Sequence, residues 1–462
     1  MEMADERLDI LVIGAGGCGL AAAIAAHDLG CEVVVVEKRE RPGGNTAIST
    51  GSVPGAGTRF QRAAGIEDSP DRMLRDLTTL SGLHDADHLT RLLVNHSAEL
   101  VEWMADAVGI PLDVVRDYKH VAHSVPRLHA PASRKGENLV NGFLRGLEKR
   151  GIPLALKNPV RQIETDERGA VTGAVVEDQN GQRHHIAASK VIVAVNGFGA
   201  NRALLKRYCP DVIDATYVGA LGSEGEAVQW GEALQAATGN MTSWQGYATV
   251  IHPHGELLSW TTIEKGGLVV NSEGRRFGDE SLGYSGFTAK VLEQDGPVHA
   301  IFDETIRDIA AREPWFNEIL DYGGAKRAES VTEIAAAIGV EPGPLEETMA
   351  AYNAAAAGQA MDAFGRSDLG VAPFSAPFWH TRVQPALLST QGGMMVDEQA
   401  HVLRQDGGII PNLFAGGGAV AGISGRSGPI GYASGNGLLH AIGLGWIAGQ
   451  AAAAEIKAAA AR

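Results

Sequence analysis

The chain has 462 residues, 45% of them hydrophobic and 20% charged, which excludes a disordered tail or a disulfide scaffold and predicts one large or two moderate globular domains. Its 39 Lys plus Arg against 55 Asp plus Glu leave a formal charge of −16. That balance works against partners held through phosphates, so neither nucleic acid nor an anionic membrane is expected. Cys18, Cys31 and Cys209 stand in no CxxC or finger-like spacing, and no metal site is expected. The acidic start from Met1 to Glu6 lacks the basic flank of a secretory signal, and the expected compartment is a reducing cytoplasm.

In chain order, Leu8 to Ile13 is a short apolar run that ends in glycines. Leu20 to Ala26 is small and apolar, and Glu32 to Glu37 is a second valine-rich run. This is strand, helix, strand within about thirty residues, the pattern of a right-handed parallel crossover. Between residues 70 and 107 the apolar residues Met73, Leu77, Leu80, Leu89, Leu93 and Leu100 recur at helical spacing and predict a helical layer over the sheet. Val171 to Asp178 and His185 to Ala188, broken by Asn180-Gly181, predict a β-hairpin. Val191 to Val195 then predicts a buried strand running into Asn196-Gly197-Phe198-Gly199.

Residues 247–388 mix short strands with helices at Thr332 to Ile338 and Leu345 to Ala357, and read as an inserted second domain. The last 75 or so residues return to strand, glycine-rich loop and helix, as if completing the first. Gly437 to Ala454 is apolar enough to resemble a membrane span. Its His440, its many Gly and Ala residues and its lack of a basic flank favour a buried, closely packed helix, with a span as the alternative.

Gly14-Ala15-Gly16-Gly17-Cys18-Gly19 lies between the first strand and helix, and Glu37 ends the second strand. Gly14 allows the tight turn, Gly16 lets a pyrophosphate approach the helix N-terminus, Gly19 lets helix and strand pack, and Glu37 can accept from ribose hydroxyls. Together they predict a dinucleotide site.

Lys38 to Pro42 and then Gly43-Gly44-Asn45-Thr46-Ala47 make the resemblance specific. The sequence resembles the flavoprotein family of fumarate reductases, succinate dehydrogenases and 3-ketosteroid dehydrogenases. Later landmarks at Ala194 to Phe198, Val270 to Glu280, Thr390 to Gly393 and Ile410 to Gly417 extend the likeness over almost the whole chain. The resemblance implies FAD, held by Gly14, Gly16, Gly19, Glu37, Lys38, Gly43, Gly44, Asn45, Thr46, Asn196, Gly197, Gly417, Gly435, Asn436 and Leu438. Asn45-Thr46 stands where covalent relatives carry histidine, so non-covalent FAD is expected. The run Gly416-Gly417-Gly418-Ala419 lacks the acid that holds the ribityl chain in many relatives, and no second nucleotide fingerprint suggests an NAD(P)H site. Gly431 to Gly437 precedes a helix that in similar flavoproteins points its N-terminus at the flavin.

The family's proton-donating arginine should fall four residues after Glu280, where Tyr284 stands. Its carboxylate-binding arginine should fall four before Asn436, where Tyr432 stands, and Ser389 replaces a histidine before Thr390. All three changes remove charge that a dicarboxylate substrate needs. Two tyrosines there resemble the ketosteroid dehydrogenases. The resemblance implies that Tyr284 takes an α-proton, that Tyr432 with a backbone N–H near Asn436 polarises a ketone, and that Ser434 tunes one phenol. Because a phenol must ionise to act as base, an alkaline optimum is expected. Ser389, Gly435 and Arg426 are assigned to the substrate, Arg426 either gripping a carboxylate or remaining a surface arginine. Trp244 and Tyr247 either line an apolar pocket or pack in the core, and His123, His129, His252 and His254 are expected to be structural.

The expected fold is α/β: a two-domain flavoprotein with a Rossmann-like FAD-binding domain, residues 1–246 and 389–462, and an inserted α+β cap, residues 247–388. The expected activity is FAD-dependent α,β-desaturation of a cyclic ketone, a 3-ketosteroid or a smaller oxocyclohexane derivative such as 4-oxocyclohexanecarboxylate, with oxygen, a quinone or another external electron acceptor. The alternatives are reduction of a conjugated acid or enone, and a flavin redox partner without a substrate.

Overall fold

The computed structural model describes residues 7–116, 120–371 and 373–461, so the acidic start from Met1 to Glu6 lies outside the described residues. Two sheets organise the chain. The first runs in the order His401–Leu403, Ile409–Ala415, Arg183–Val193, Leu8–Ile13, Val33–Glu37, Leu154–Leu156. Along this path the neighbours are parallel except the pair formed by His401–Leu403 and Ile409–Ala415, and Val171–Glu177 adds to Arg183–Val193 antiparallel off the path. The central strand Leu8–Ile13 is buried over Ile10 to Ile13, as its unbroken apolar run requires of a strand covered on both faces.

Helix Gly17–Asp28 follows at once and is buried from Gly17 to Ala26. The predicted helical layer forms as two helices, Pro70–Ser81 and Asp87–Asp106. The break falls at Gly82, whose φ of +61° a helix cannot use. The predicted hairpin also forms, with Asp178 accepting from the N–H groups of Asn180 (2.8 Å) and Gln182 (2.9 Å). Its second strand does not stop where the sequence pattern changes. Arg183–Val193 is one strand, exposed where it pairs with the hairpin and buried where it enters the main sheet, so one segment carries two hydropathy patterns.

The second sheet holds Leu268–Val270, Val298–Asp303, Phe378–Thr390 and Thr242–Ile251 in that order, with antiparallel neighbours. Helices Val331–Ile338 and Pro342–Ala356 lie close to the ranges predicted for them. The two long strands place Trp244 opposite Thr390 and Gln245 opposite Ser389, at the end of the sheet that faces the first domain.

Helix Asn436–Ala460 is long and apolar enough to cross a membrane, yet 61% of its most apolar window is buried in the protein. It packs against Gly17–Asp28 so closely that a Cβ at Gly445 would meet the Cys18 carbonyl oxygen at 2.1 Å, and one at Gly449 that of Ala22 at 2.3 Å. Backbone lies on backbone there, and nothing flexible can yield. Gly445→Val is therefore expected to cost on the order of 3 kcal/mol or more, read as a lowered urea midpoint; an unchanged midpoint would contradict this packing.

Candidate active site

A groove of about 620 Å³ runs along the C-terminal ends of the parallel strands, lined by Gly14, Gly16, Glu37, Lys38, Asn45 and Gly417 among others. Gly14 has φ +105°, and a Cβ there would meet the Ala194 carbonyl oxygen at 2.4 Å, so only glycine makes this turn. The Glu37 carboxylate is oriented at the groove by N–H groups of Ala15 (2.9 Å) and Arg39 (2.8 Å). Lys38 is held by Glu224 at 2.7 Å and by Glu226, whose Oε2 is buried without a partner. Asn45 Oδ1 accepts from Ala220 N–H (2.7 Å), and Asn196 donates to Ser223 (2.8 Å). At Gly44 a side chain would enter open space.

Several residues assigned from sequence to the cofactor stand behind the groove rather than in it. A Cβ at Gly19 would meet Gly14 O at 1.9 Å, and one at Gly197 would meet Thr390 Oγ1 at 2.3 Å. Gly43 donates its N–H to Ala15 O (2.8 Å), and Asn436 is buried with its amide nitrogen 3.3 Å from Ser424 Oγ. These positions shape the walls.

A second chamber of about 610 Å³ shares Asn45, Thr46, Ile48, Asn196, Gly418 and Ala441 with the groove, so the two meet. Gly435, Leu438, Ser389, Tyr284, Tyr432 and Ser434 all line it. Tyr284, from helix Gly283–Leu292, stacks on Tyr247 with ring centroids 5.1 Å apart and lies 6.0 Å from the Tyr432 ring. Trp260 closes the cluster edge-on to Tyr247 and Tyr284.

Burial pushes the Tyr284 phenol well above its ordinary range, and the neighbouring Tyr432 and Tyr247 add to this. The nearby Ser434 and Gln245 side chains pull it back. Burial likewise lifts Tyr432 to about 12, against the hydrogen bond from Gly437 N–H and the nearby Gln245 side chain. The N–H that meets Tyr432 Oη is that of Gly437, at 3.0 Å. Gly437 is next to Asn436, whose own N–H is taken by Ala433 O at 3.1 Å in the turn that opens the last helix.

Gln245 was missed by the sequence reading. Its Oε1 accepts from Ser389 (3.0 Å), which in turn accepts from Gln391 (3.3 Å), and the side chain is near enough to both phenols to lower their pKa values. The cross-strand pairing of Gln245 with Ser389 supplies the geometry, and it depends on a register that the sequence does not display. Trp244 does not reach the chamber: it is buried in the core and donates to Asp211 at 2.9 Å, whereas Tyr247 lines the chamber. Arg426 is outside as well, exposed and paired with Asp85 at 2.6 and 2.9 Å. Arg134 and Lys135 are cations that do line the chamber.

Residues 9–438 match the family model described as FAD binding domain. The chain belongs to this family. It binds FAD and is an FAD-dependent oxidoreductase, and the groove fits that cofactor: it is lined by Gly44, beside which a Cβ would meet nothing, and by Glu226, whose buried Oε2 has no partner. Among the relatives of this FAD-binding chain is the NADH:fumarate oxidoreductase of Klebsiella pneumoniae (strain 342), 32% identical over 99% of this chain and 48% of that protein. The chain thus spans about half the length of that relative. The open conformation of a flavocytochrome c3 fumarate reductase superposes with a TM-score of 0.80 at 27% identity, covering 97% of this chain and 78% of the other. The 3-ketosteroid-Δ4-(5α)-dehydrogenase of Rhodococcus jostii RHA1, in complex with 4-androstene-3,17-dione, superposes at 0.78 with 25% identity over 98% of both chains. The two-domain flavoprotein fold read from the sequence is therefore the fold of this chain.

Because Arg426 is an exposed surface ion pair, Arg426→Ala is expected to leave kcat/KM within about twofold of the wild type. A tenfold loss in steady-state assays would put this side chain back in the site.

Proposed function

We propose that this chain catalyses FAD-dependent α,β-desaturation of a cyclic ketone, oxidising the CH–CH bond next to the carbonyl. The observation that carries the reading is the pair of buried phenols, Tyr284 and Tyr432, 6.0 Å apart between ring centroids in the wall of the chamber that Gln245 also lines. Residues 1–246 and 389–462 would form the FAD-binding domain and 247–388 the cap on the substrate side. Gly14 and Gly16 would cradle the pyrophosphate at the helix N-terminus, Glu37 would accept from ribose hydroxyls, and the N-terminus of helix Asn436–Ala460 would face the flavin. Asn45-Thr46 offers no histidine for a covalent link, so acid precipitation is expected to release all the flavin into solution; flavin left in the pellet would show a covalent bond.

When bound, FAD supplies the acceptor for the hydride that leaves the β-carbon. The Gly437 N–H occupies a lone pair of Tyr432 Oη, which directs the phenol's own proton toward the substrate carbonyl oxygen as enolate character develops. A neutral phenol does this without a permanent charge to desolvate. Tyr284 acts as phenolate and takes the α-proton, so that the carbon–carbon double bond forms as proton and hydride depart. Ser434 and Gln245, which act to lower its pKa, would favour that phenolate. Turnover needs an external electron acceptor, oxygen or a quinone.

The second reading, reduction of a conjugated acid or enone, is favoured by the fumarate reductases among the relatives and by Arg134 and Lys135 in the chamber wall. Anaerobic mixing with a 3-ketosteroid, 4-oxocyclohexanecarboxylate, cyclohexanone and succinate separates the two. Bleaching of the flavin band by a ketone supports desaturation. No bleaching, with rapid reoxidation of the reduced protein by fumarate or an enone, would replace it with the reductase.

Tyr284→Phe and Tyr432→Phe are each expected to lower kcat by about a hundredfold or more while flavin content stays at the wild-type level. Since burial raises the Tyr284 pKa, the phenolate fraction grows about tenfold per pH unit below it, and the wild-type rate should climb into the alkaline range. A rate that falls between neutral and alkaline pH would remove Tyr284 from the role of base.

A further inference from the structure

The end of the dinucleotide groove beyond Glu37 holds side chains that the proposed chemistry does not use. Strand Val33–Glu37 ends there, and the Glu37 carbonyl oxygen accepts from Asn158 N–H at 2.9 Å, which brings the start of strand Val160–Thr165 alongside. Lys38, the next residue, bonds Glu224 at 2.7 Å and also Glu226. Glu226 is the first residue of helix Glu226–Ala233, so this ion pair pins the helix to the end of the strand. Trp230 stands one turn further along, on the same face as Glu226. Among the described residues it is the only tryptophan that lines the groove.

Three apolar side chains thus meet the groove at this end. Val160 is buried, Trp230 is half-buried and Leu221 is 65% exposed, and all three are in its wall. Leu221 precedes Gly222, where a Cβ would meet Lys38 Cε at 3.2 Å and Arg39 Cδ at 3.5 Å, so it stands beside the residues that follow Glu37. An indole and an exposed leucine both gain from a flat, weakly polar ring that removes them from water. Lys38 is engaged by two carboxylates and is not offered to a phosphate.

The ends of FAD differ, and so do the ends of the site. The isoalloxazine belongs at the end where the groove meets the chamber of Tyr284 and Tyr432. With the pyrophosphate at the Gly14–Gly16 turn and the ribose hydroxyls on Glu37, the base carried by that ribose lies beyond Glu37, away from the chamber.

We propose that Trp230 is the adenine-binding residue of this protein: the adenine ring of FAD enters the slot of Val160, Leu221 and Trp230 and is covered by the indole, on a helix held in place by Lys38. The proposal rests on Glu37 marking the adenosine ribose.

The test reads binding rather than turnover. ADP carries the adenosine half of FAD without the flavin. Added to the full chain freed of its FAD, ADP should quench tryptophan emission, FAD should compete with it, and Trp230→Phe should abolish the quench. A quench that persists in Trp230→Phe, or ADP that does not compete with FAD, would overturn the proposal. On dilution of the FAD-loaded chain, Trp230→Ala should raise the dissociation constant of FAD about tenfold or more, while Trp230→Phe stays within about threefold of the wild type. FMN lacks adenosine and should bind the wild type and Trp230→Ala within about twofold of each other. An unchanged FAD constant in Trp230→Ala, or an equal loss for FMN and FAD, contradicts the assignment. Should Trp230→Ala fail to fold, the ADP quench in the wild type and Trp230→Phe decides alone. Glu37→Ala separates the premise from the proposal. If it weakens FAD and ADP while Trp230→Ala weakens neither, the ribose is where Glu37 puts it and Trp230 is wrongly assigned; if it weakens neither ligand, the placement of the ribose fails and the proposal falls with it.

Discussion

The close approach of the first and last helices is the constraint on which the rest of the site depends. Gly445 and Gly449 let helix Asn436–Ala460 lie on the backbone of Gly17–Asp28, at a separation that no Cβ would permit. Helix Gly17–Asp28 is itself fixed to the first strand through Gly14 and Gly19, so the N-terminus of the last helix and the loop before it are indexed to the dinucleotide groove. Tyr432, Ser434, Gly435 and Gly437 enter the chamber because of that packing. The apolar character of the last helix, which resembles a membrane span by composition, is explained by burial within the protein.

Desolvation sets the chemistry of the chamber. A buried arginine needs a carboxylate or another anion beside it, and a buried phenol needs only a hydrogen bond. With phenols at both positions, the cluster of Tyr247, Tyr284, Tyr432 and Trp260 can pack as an aromatic wall and still offer two ionisable oxygens. The cost is that burial raises both phenol pKa values, which Gly437 N–H opposes at Tyr432, Ser434 at Tyr284, and Gln245 at both. Ser389, which the sequence assigns to the substrate, orients Gln245 through its hydroxyl.

Among the described residues, two buried arginines are matched by pairs of carboxylates. Arg127 is held between Asp68 and Asp76, while Arg276 pairs with Glu280 and Asp362. Removing one member of such a group would leave an uncompensated charge, so these clusters rigidify the loops that carry them. The loop holding His123 is one of these, and it reaches from the Arg127 cluster to the backbone of Ser434.

Much of the fold was legible in the chain because its signals are local. The crossover from Leu8 to Glu37, the hairpin at Asn180-Gly181, and the helices at 70–106 and 331–356 each depend on periodicity or turn chemistry within a few residues. A dinucleotide site could be read from motif spacing, while FAD and the uncharged residues at Tyr284, Tyr432 and Ser389 followed from the resemblance to the flavoprotein family. What the sequence did not display was decided by contacts between distant segments. Gln245 enters the chamber through strand register with Ser389, the Gly437 N–H meets Tyr432, Trp244 turns into the core, and Arg426 is held at the surface by Asp85. The sequence by itself determined which chemical groups this protein possesses and the local elements that carry them. Only the tertiary structure decided which of those groups meet, because hydrogen bonds and burial act over a few ångströms between residues that the chain keeps far apart.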